Sequence, residues 1–234
     1  MTPHTKAILQ KMKGSNYPQL SFDFAFTLTN ESERGALLVG SGKVEEFLER
    51  LLTKILPLKQ KSYRDRLLSY PGPLSSFSGK IEILYAFRVI DKRVYDALST
   101  LRKLRNQAAH SSNSFSIQAI KEKLETIYDF EDGFIMAVNK VANDNLLKFK
   151  KENLRKALEE SKLDDYDSEK LWEEHVPIPE KNKFFLEHLT IWKLAHGLTF
   201  LCLKIEAIID DYSFVNPSGE TWIDYISAKN CSFE

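Results

Sequence analysis

Five apolar residues, Val94, Leu98, Leu101, Leu104 and Ala108, advance along the chain by threes and fours. That spacing puts them on one face of an α-helix and is incompatible with the alternation of a half-buried strand. Asp91 stands ahead of the stripe as an N-cap, and Ser111 to Ser114 break it. The pattern recurs. Leu37, Leu38, Val44, Phe47, Leu48, Leu51, Leu52 and Ile55 form a second stripe, with Glu45, Glu46, Glu49 and Arg50 outside it. Asn30 is placed to cap that helix, Glu33 to close a capping box and Pro57 to end it. A third helix is expected from Ser116 to Val141 and a long, strongly apolar one from Phe184 to Ile209. One-sided helices bury their stripes against one another, so the expected fold is an all-α bundle. With 9 Gly and 8 Pro in 234 residues, few turns are available for anything else.

The remaining segments divide the chain. Residues 1–28 read as a loose lead-in with a short helix over Thr5–Lys13, broken at Gly14 to Pro18. A helix starts at Ser75 or Ser76 and turns Ile81, Leu84, Tyr85 and Phe87 inward. Residues 143–160 are helical but more charged. Residues 161–182 form an acidic connector with a short helix near Leu171, and a short Trp222–Ile226 segment follows the last long helix. The expected organisation is a bundle over 29–160 and a helical extension over 161–234 packed on it. Gly35, Gly40 and Gly42 fall within a helix, where Gly costs about 1 kcal/mol against Ala. Close helix–helix approach is the expected reason.

Net charge is zero but unevenly spread: residues 1–110 hold 18 Lys/Arg and 10 Asp/Glu, residues 111–234 hold 15 and 23. A basic half facing phosphate is one reading, and attraction between the two halves is the other. Cys202 sits in an apolar pattern as a small core residue, whereas Cys231 is expected to be exposed; neither implies a disulfide framework or zinc site. No apolar run reaches a membrane span, and the first residues lack the apolar core of a secretory signal, so a cytoplasmic protein without membrane contact is expected. His188 and His196 are eight apart, about 12 Å along a helix, too far for one metal. His175 is expected to be solvated. No metal site and no cofactor are expected.

The chemistry-bearing candidates cluster at Arg105-Asn106-Gln107-Ala108-Ala109-His110. Asn106 and His110 share a helix face, and Arg105 stands about 140° from His110. His110 falls at a helix C-terminus, where free carbonyls favour a protonated imidazole. Arg102 and Lys103 add positive charge, and Arg34 is a candidate for a shared polar patch. A helix-end His is equally well explained as a cap, and Arg and Asn as holders of a neighbouring helix.

The hexapeptide resembles the Arg-x4-6-His signature of the HEPN superfamily. Two further segments, Thr29 to Val39 and Leu74 to Ala86, resemble the mannitol operon repressor family within it, and the resemblance spans about residues 25–160. It implies a HEPN-like helical bundle that pairs as a homodimer. The function it implies first is a non-enzymatic transcriptional regulator acting through a protein, nucleotide or nucleic-acid partner, without a DNA-reading helix-turn-helix. The alternative it implies is a metal-independent, toxin-like ribonuclease acting on RNA. In that case His110 serves as acid–base, Arg105 holds the scissile phosphate, Asn106 positions one of them, and Arg34, Arg102 and Lys103 bind.

Overall fold

The computed structural model describes residues 17–56, 61–110, 115–161 and 183–215. The helices expected over Thr5–Lys13, near Leu171 and over Trp222–Ile226 lie outside these residues, as do His175 and Cys231. Among the described residues the chain is all-α, with eight α-helices, one short 3-10 turn and no strand. They are α1 Tyr17–Thr29, α2 Glu33–Ile55, α3 Lys61–Leu68, α4 Phe77–Ala86, α5 Lys92–His110, α6 Lys121–Tyr128, α7 Phe134–Glu160 and α8 Lys183–Val215.

Local chemistry sets the helix ends. The N-cap of α2 is Ser32, whose hydroxyl accepts from the Gly35 N–H at 3.0 Å. Asn30 instead donates from its amide to the Phe26 carbonyl and finishes α1. The expected Asn30/Glu33 capping box is therefore absent, because Glu33 is drawn away: its carboxylate accepts the Ile117 N–H at 2.8 Å. Ser76 caps α4 through the Gly79 N–H, and Asp91 caps α5 through the Val94 N–H at 2.9 Å, both as the sequence predicts. The expected continuous helix from Ser116 to Val141 is broken into a 3-10 turn, α6 and α7. The break falls at Gly133, whose φ of 82° is a left-handed conformation that Gly adopts without a Cβ penalty. Arg93 of α5 fastens this break by donating to the Asp129 carbonyl and to the carboxylates of Asp129 and Asp132.

A second helix stop departs from the usual chemistry. After α4 the Val89 N–H bonds to the Leu84 carbonyl and the Arg88 N–H to the Tyr85 carbonyl. This closure needs a left-handed residue, and Arg88 supplies it at φ 55°. Gly fits such a position freely; an L side chain there costs about 1–2 kcal/mol.

The core is built around α8. Residues 194–198 are all buried, which is more than one full turn, so over this stretch the helix is covered on every side, while Thr199, Leu203 and Glu206 beyond it are half-buried. Trp192, Leu194, Ala195, Leu198, Phe200, Leu201 and Ile205 have no exposed surface. Its neighbours are α2, α7, α1 and α6. The segment expected to be packed on the bundle supplies Leu194, Leu198, Phe200, Leu201 and Ile205 to the main core. The lead-in is likewise reassigned over its described part: α1 buries Ala25 and Leu28 completely and joins a smaller cluster with Ala36, Ala142, Leu146 and Trp192. Phe22 and Phe149 meet the Trp192 ring edge-on or tilted at 5.3 and 5.8 Å.

The mid-helix glycines have separate explanations. A Cβ on Gly40 would stand 2.6 Å from Leu198 Cδ1, and one on Gly197 would stand 2.1 Å from the Tyr128 ring; both mark close helix approach. Gly35 abuts only its own cap, Glu31 and Ser32, and Gly42 faces open space. The close-approach reading holds for Gly40 and fails for Gly35 and Gly42.

Candidate functional site

The stripe of α5 faces inward as its spacing dictates, with Leu101, Leu104 and Ala108 buried. The other residues of the hexapeptide are distributed by the helix around that stripe. Arg105 lies on its flank, half-buried, and its guanidinium stands 4.0 Å from the Glu45 carboxylate of α2. Asn106 and His110 point outward and are exposed, as is Lys103; Arg102 is half-buried. Arg34 is half-buried in the first turn of α2. The helices α2 and α5 run antiparallel, since Glu45 faces Arg105 while Glu33 reaches Ile117 beyond the end of α5. Within one chain the Arg105 guanidinium leans toward Glu45 on α2, while His110, five residues on, faces solvent.

Arg105 leads instead to a charge network with Lys80 at its centre. The Lys80 ammonium donates to Glu45 at 3.0 Å and to Glu49 at 3.1 Å, and its side chain is only 4% exposed. A buried ammonium is costly without such partners; the two carboxylates offset it, and Arg105 beside Glu45 is the second cation of the network. The network lies in a groove of about 670 Å3, also lined by Gly42, Glu46, Arg50, Thr53 and Lys54. The open space beside Gly42 belongs to this groove. Sequence reasoning leaves Lys80 out of the site, although a signal is present: it falls beside Phe77, Ile81 and Leu84, on the apolar side of α4.

A second charged pair is more deeply enclosed. The Lys204 ammonium of α8 donates to the Glu131 carboxylate at 2.7 Å, with side chains 5% and 9% exposed. His196, one turn after Trp192, is fully buried, and its Nε2 lies 3.2 Å from the Asn145 amide nitrogen. The other ring nitrogen, Nδ1, is buried with no hydrogen-bond partner among the described residues. Burial pushes the imidazole pKa down to about 4. His188 is half-buried and stands eight residues before His196, about 12 Å by helical rise, so the two histidines cannot ligate one metal. Cys202 is buried, as its pattern predicts. Among the described residues no group of three or more His, Cys, Asp or Glu could hold a metal ion, and no helix is long and apolar enough to cross a membrane.

Comparisons with family models, with curated proteins and with solved structures found no match for this chain.

Proposed function

We propose that this chain is a non-enzymatic regulatory protein of the mannitol-repressor type, working by contact with a protein, nucleotide or nucleic-acid partner. The observation that carries this reading is the separation of Arg105 from His110. A ribonuclease needs a phosphate-holding cation and an acid–base within reach of one phosphodiester. Here the cation leans toward Glu45 on α2, and the imidazole faces solvent about 140° around the helix. The resemblance of the three quoted segments supplies the regulatory class. The test is incubation of the purified chain with single-stranded RNA in EDTA. The RNA is expected to stay intact. Cleavage that disappears in His110→Ala overturns the reading.

One observation favours the ribonuclease reading as the second choice. Asn106, His110 and Lys103 all face outward, and none makes a hydrogen bond or ion pair among the described residues. A homodimer packed α5 against α5 would bring two such faces together. That reading expects a dimer in sedimentation and RNA products with cyclic phosphate ends. A monomer that leaves RNA uncut removes it.

A further inference from the structure

We propose that the α4–α5 corner and the outward face of α5 bind single-stranded nucleic acid, with bases stacking on the corner aromatics and phosphates meeting unpaired cations along the helix. The inference rests on the partner-contact reading above and names its partner class. It is carried by residues outside the Arg105–His110 pair.

The corner exposes Tyr85 and Phe87, which the sequence spacing had turned inward, while Tyr95 is partly buried against the core. Tyr85 and Tyr95 stack at 4.3 Å with their planes 28° apart, and Phe87 beside them is 50% exposed. Exposed rings of this kind offer faces to unstacked bases, which a duplex keeps inside its stack.

Arg88 is the second observation, independent of the rings. It occupies the left-handed stop of α4, where Gly is the least strained choice, and its guanidinium makes no ion pair among the described residues. A charged residue held in that conformation, exposed beside Phe87, points outward to something it meets from solvent. The cations continue along α5. Arg102 and Lys103 lie on its outer side, about 12 Å from Tyr95 by helical rise, and neither is ion-paired among the described residues.

The charge of the region agrees. Residues 61–110 hold ten Lys/Arg and four Asp/Glu; Lys80, Lys92, Arg93 and Arg105 are taken up in ion pairs, and Arg88, Arg102 and Lys103 are left for this face. The carboxylates near this face are already engaged: Asp91 caps α5, Asp96 pairs with Lys92, and Glu82 accepts from the Tyr95 hydroxyl. What remains free is aromatic and positive, the combination that tracks a single strand without reading its sequence.

The experiment is fluorescence anisotropy of the full chain with a labelled mixed-sequence RNA of about 12 nucleotides, its DNA counterpart and the matching duplex, across a salt series. Binding to the single strands should exceed binding to the duplex. Preference for RNA over DNA would assign a 2′-hydroxyl contact, and equal binding a general single-strand surface; both support the proposal. Phe87→Ala should weaken binding by roughly 10-fold. Arg88→Gly should weaken binding and lower the slope of log affinity against log salt by about 0.7, while the melting temperature stays level or rises. That last pairing separates a binding role from a structural one.

Three results overturn the proposal: no binding at low salt, duplex bound as tightly as single strand, or corner variants that bind like the parent. Corner variants that alter the protein's sedimentation with no oligonucleotide bound would make this a protein-contact surface instead, and also overturn it. Anisotropy reads binding and the EDTA assay reads strand length, so failure here and failure of the regulatory reading are separately visible.

Discussion

The two helices α5 and α8 bury six and nine apolar residues among those described, and they meet their surroundings in opposite ways. Burial of α5 is one-sided: its stripe packs on α2, α4 and α6, and its polar side meets solvent. In α8 more than a full turn is enclosed, and even His196 and Lys204 are buried. Polar residues on α5 are therefore free to meet partners. Polar residues on α8 are constrained by what the interior supplies to them. The same residue types thus mean different things: His110 is available, whereas His196 is committed to Asn145.

The largest way to test this contrast is to break the enclosed pair. Glu131→Ala leaves the Lys204 ammonium buried without its carboxylate and should cost about 3–5 kcal/mol, read from the urea midpoint by circular dichroism. Replacing both, as Glu131→Leu with Lys204→Met, should recover most of the loss. A single variant as stable as the parent would show that the pair is not enclosed.

Acid should expose the second constraint. The unfolded His196 takes a proton near its ordinary value of 6.5, but the folded one only near 4. Protons therefore favour the unfolded chain between those values. The contribution is complete above about pH 6.5 and is lost as pH falls toward 4, by about 3 kcal/mol. His196→Met should flatten stability against pH in that window. An unchanged slope in the variant would refute the assignment.

Next in size is packing. Gly197→Ala places a methyl against the Tyr128 ring and should cost about 1–3 kcal/mol in the same urea measurement. Gly42 stands between the two extremes, on a buried helix but facing a groove. Its replacement by Ala should raise stability by about 1 kcal/mol, since nothing lies within 4 Å of the new methyl. Smallest of all, His110→Ala and Asn106→Ala on the open face of α5 should change stability by less than about 0.5 kcal/mol. A large loss there would mean that the hexapeptide is a structural support after all.

The contrast also explains what could be read in advance. One-sided burial leaves a periodic trace, so α5 and its Asp91 cap, the stripe of α2 and the Ser76 start were legible from spacing and capping chemistry. An enclosed helix leaves no such trace: α8 reads as apolar without indicating which elements cover it, and its spacing says only that it packs on the bundle. The α1 segment was missed because Gly14 to Pro18 reads as a break, although a helix begins at Tyr17 beside it. The Glu33 cap was misassigned because its carboxylate has a better use 84 residues away, at the Ile117 N–H.

At the candidate site the division is similar. Sequence alone determined the helix carrying the hexapeptide, its inward stripe and the face that Asn106 and His110 share, because these follow from 3.6 residues per turn. Only the tertiary structure decided that Arg105 turns to Glu45, that Lys80 is held between two glutamates, and that α8 packs on α1, α2, α6 and α7. Those outcomes depend on which distant helix lies alongside. Helical periodicity fixes the direction a side chain faces, but the partner it finds there is set by packing between segments far apart in the chain.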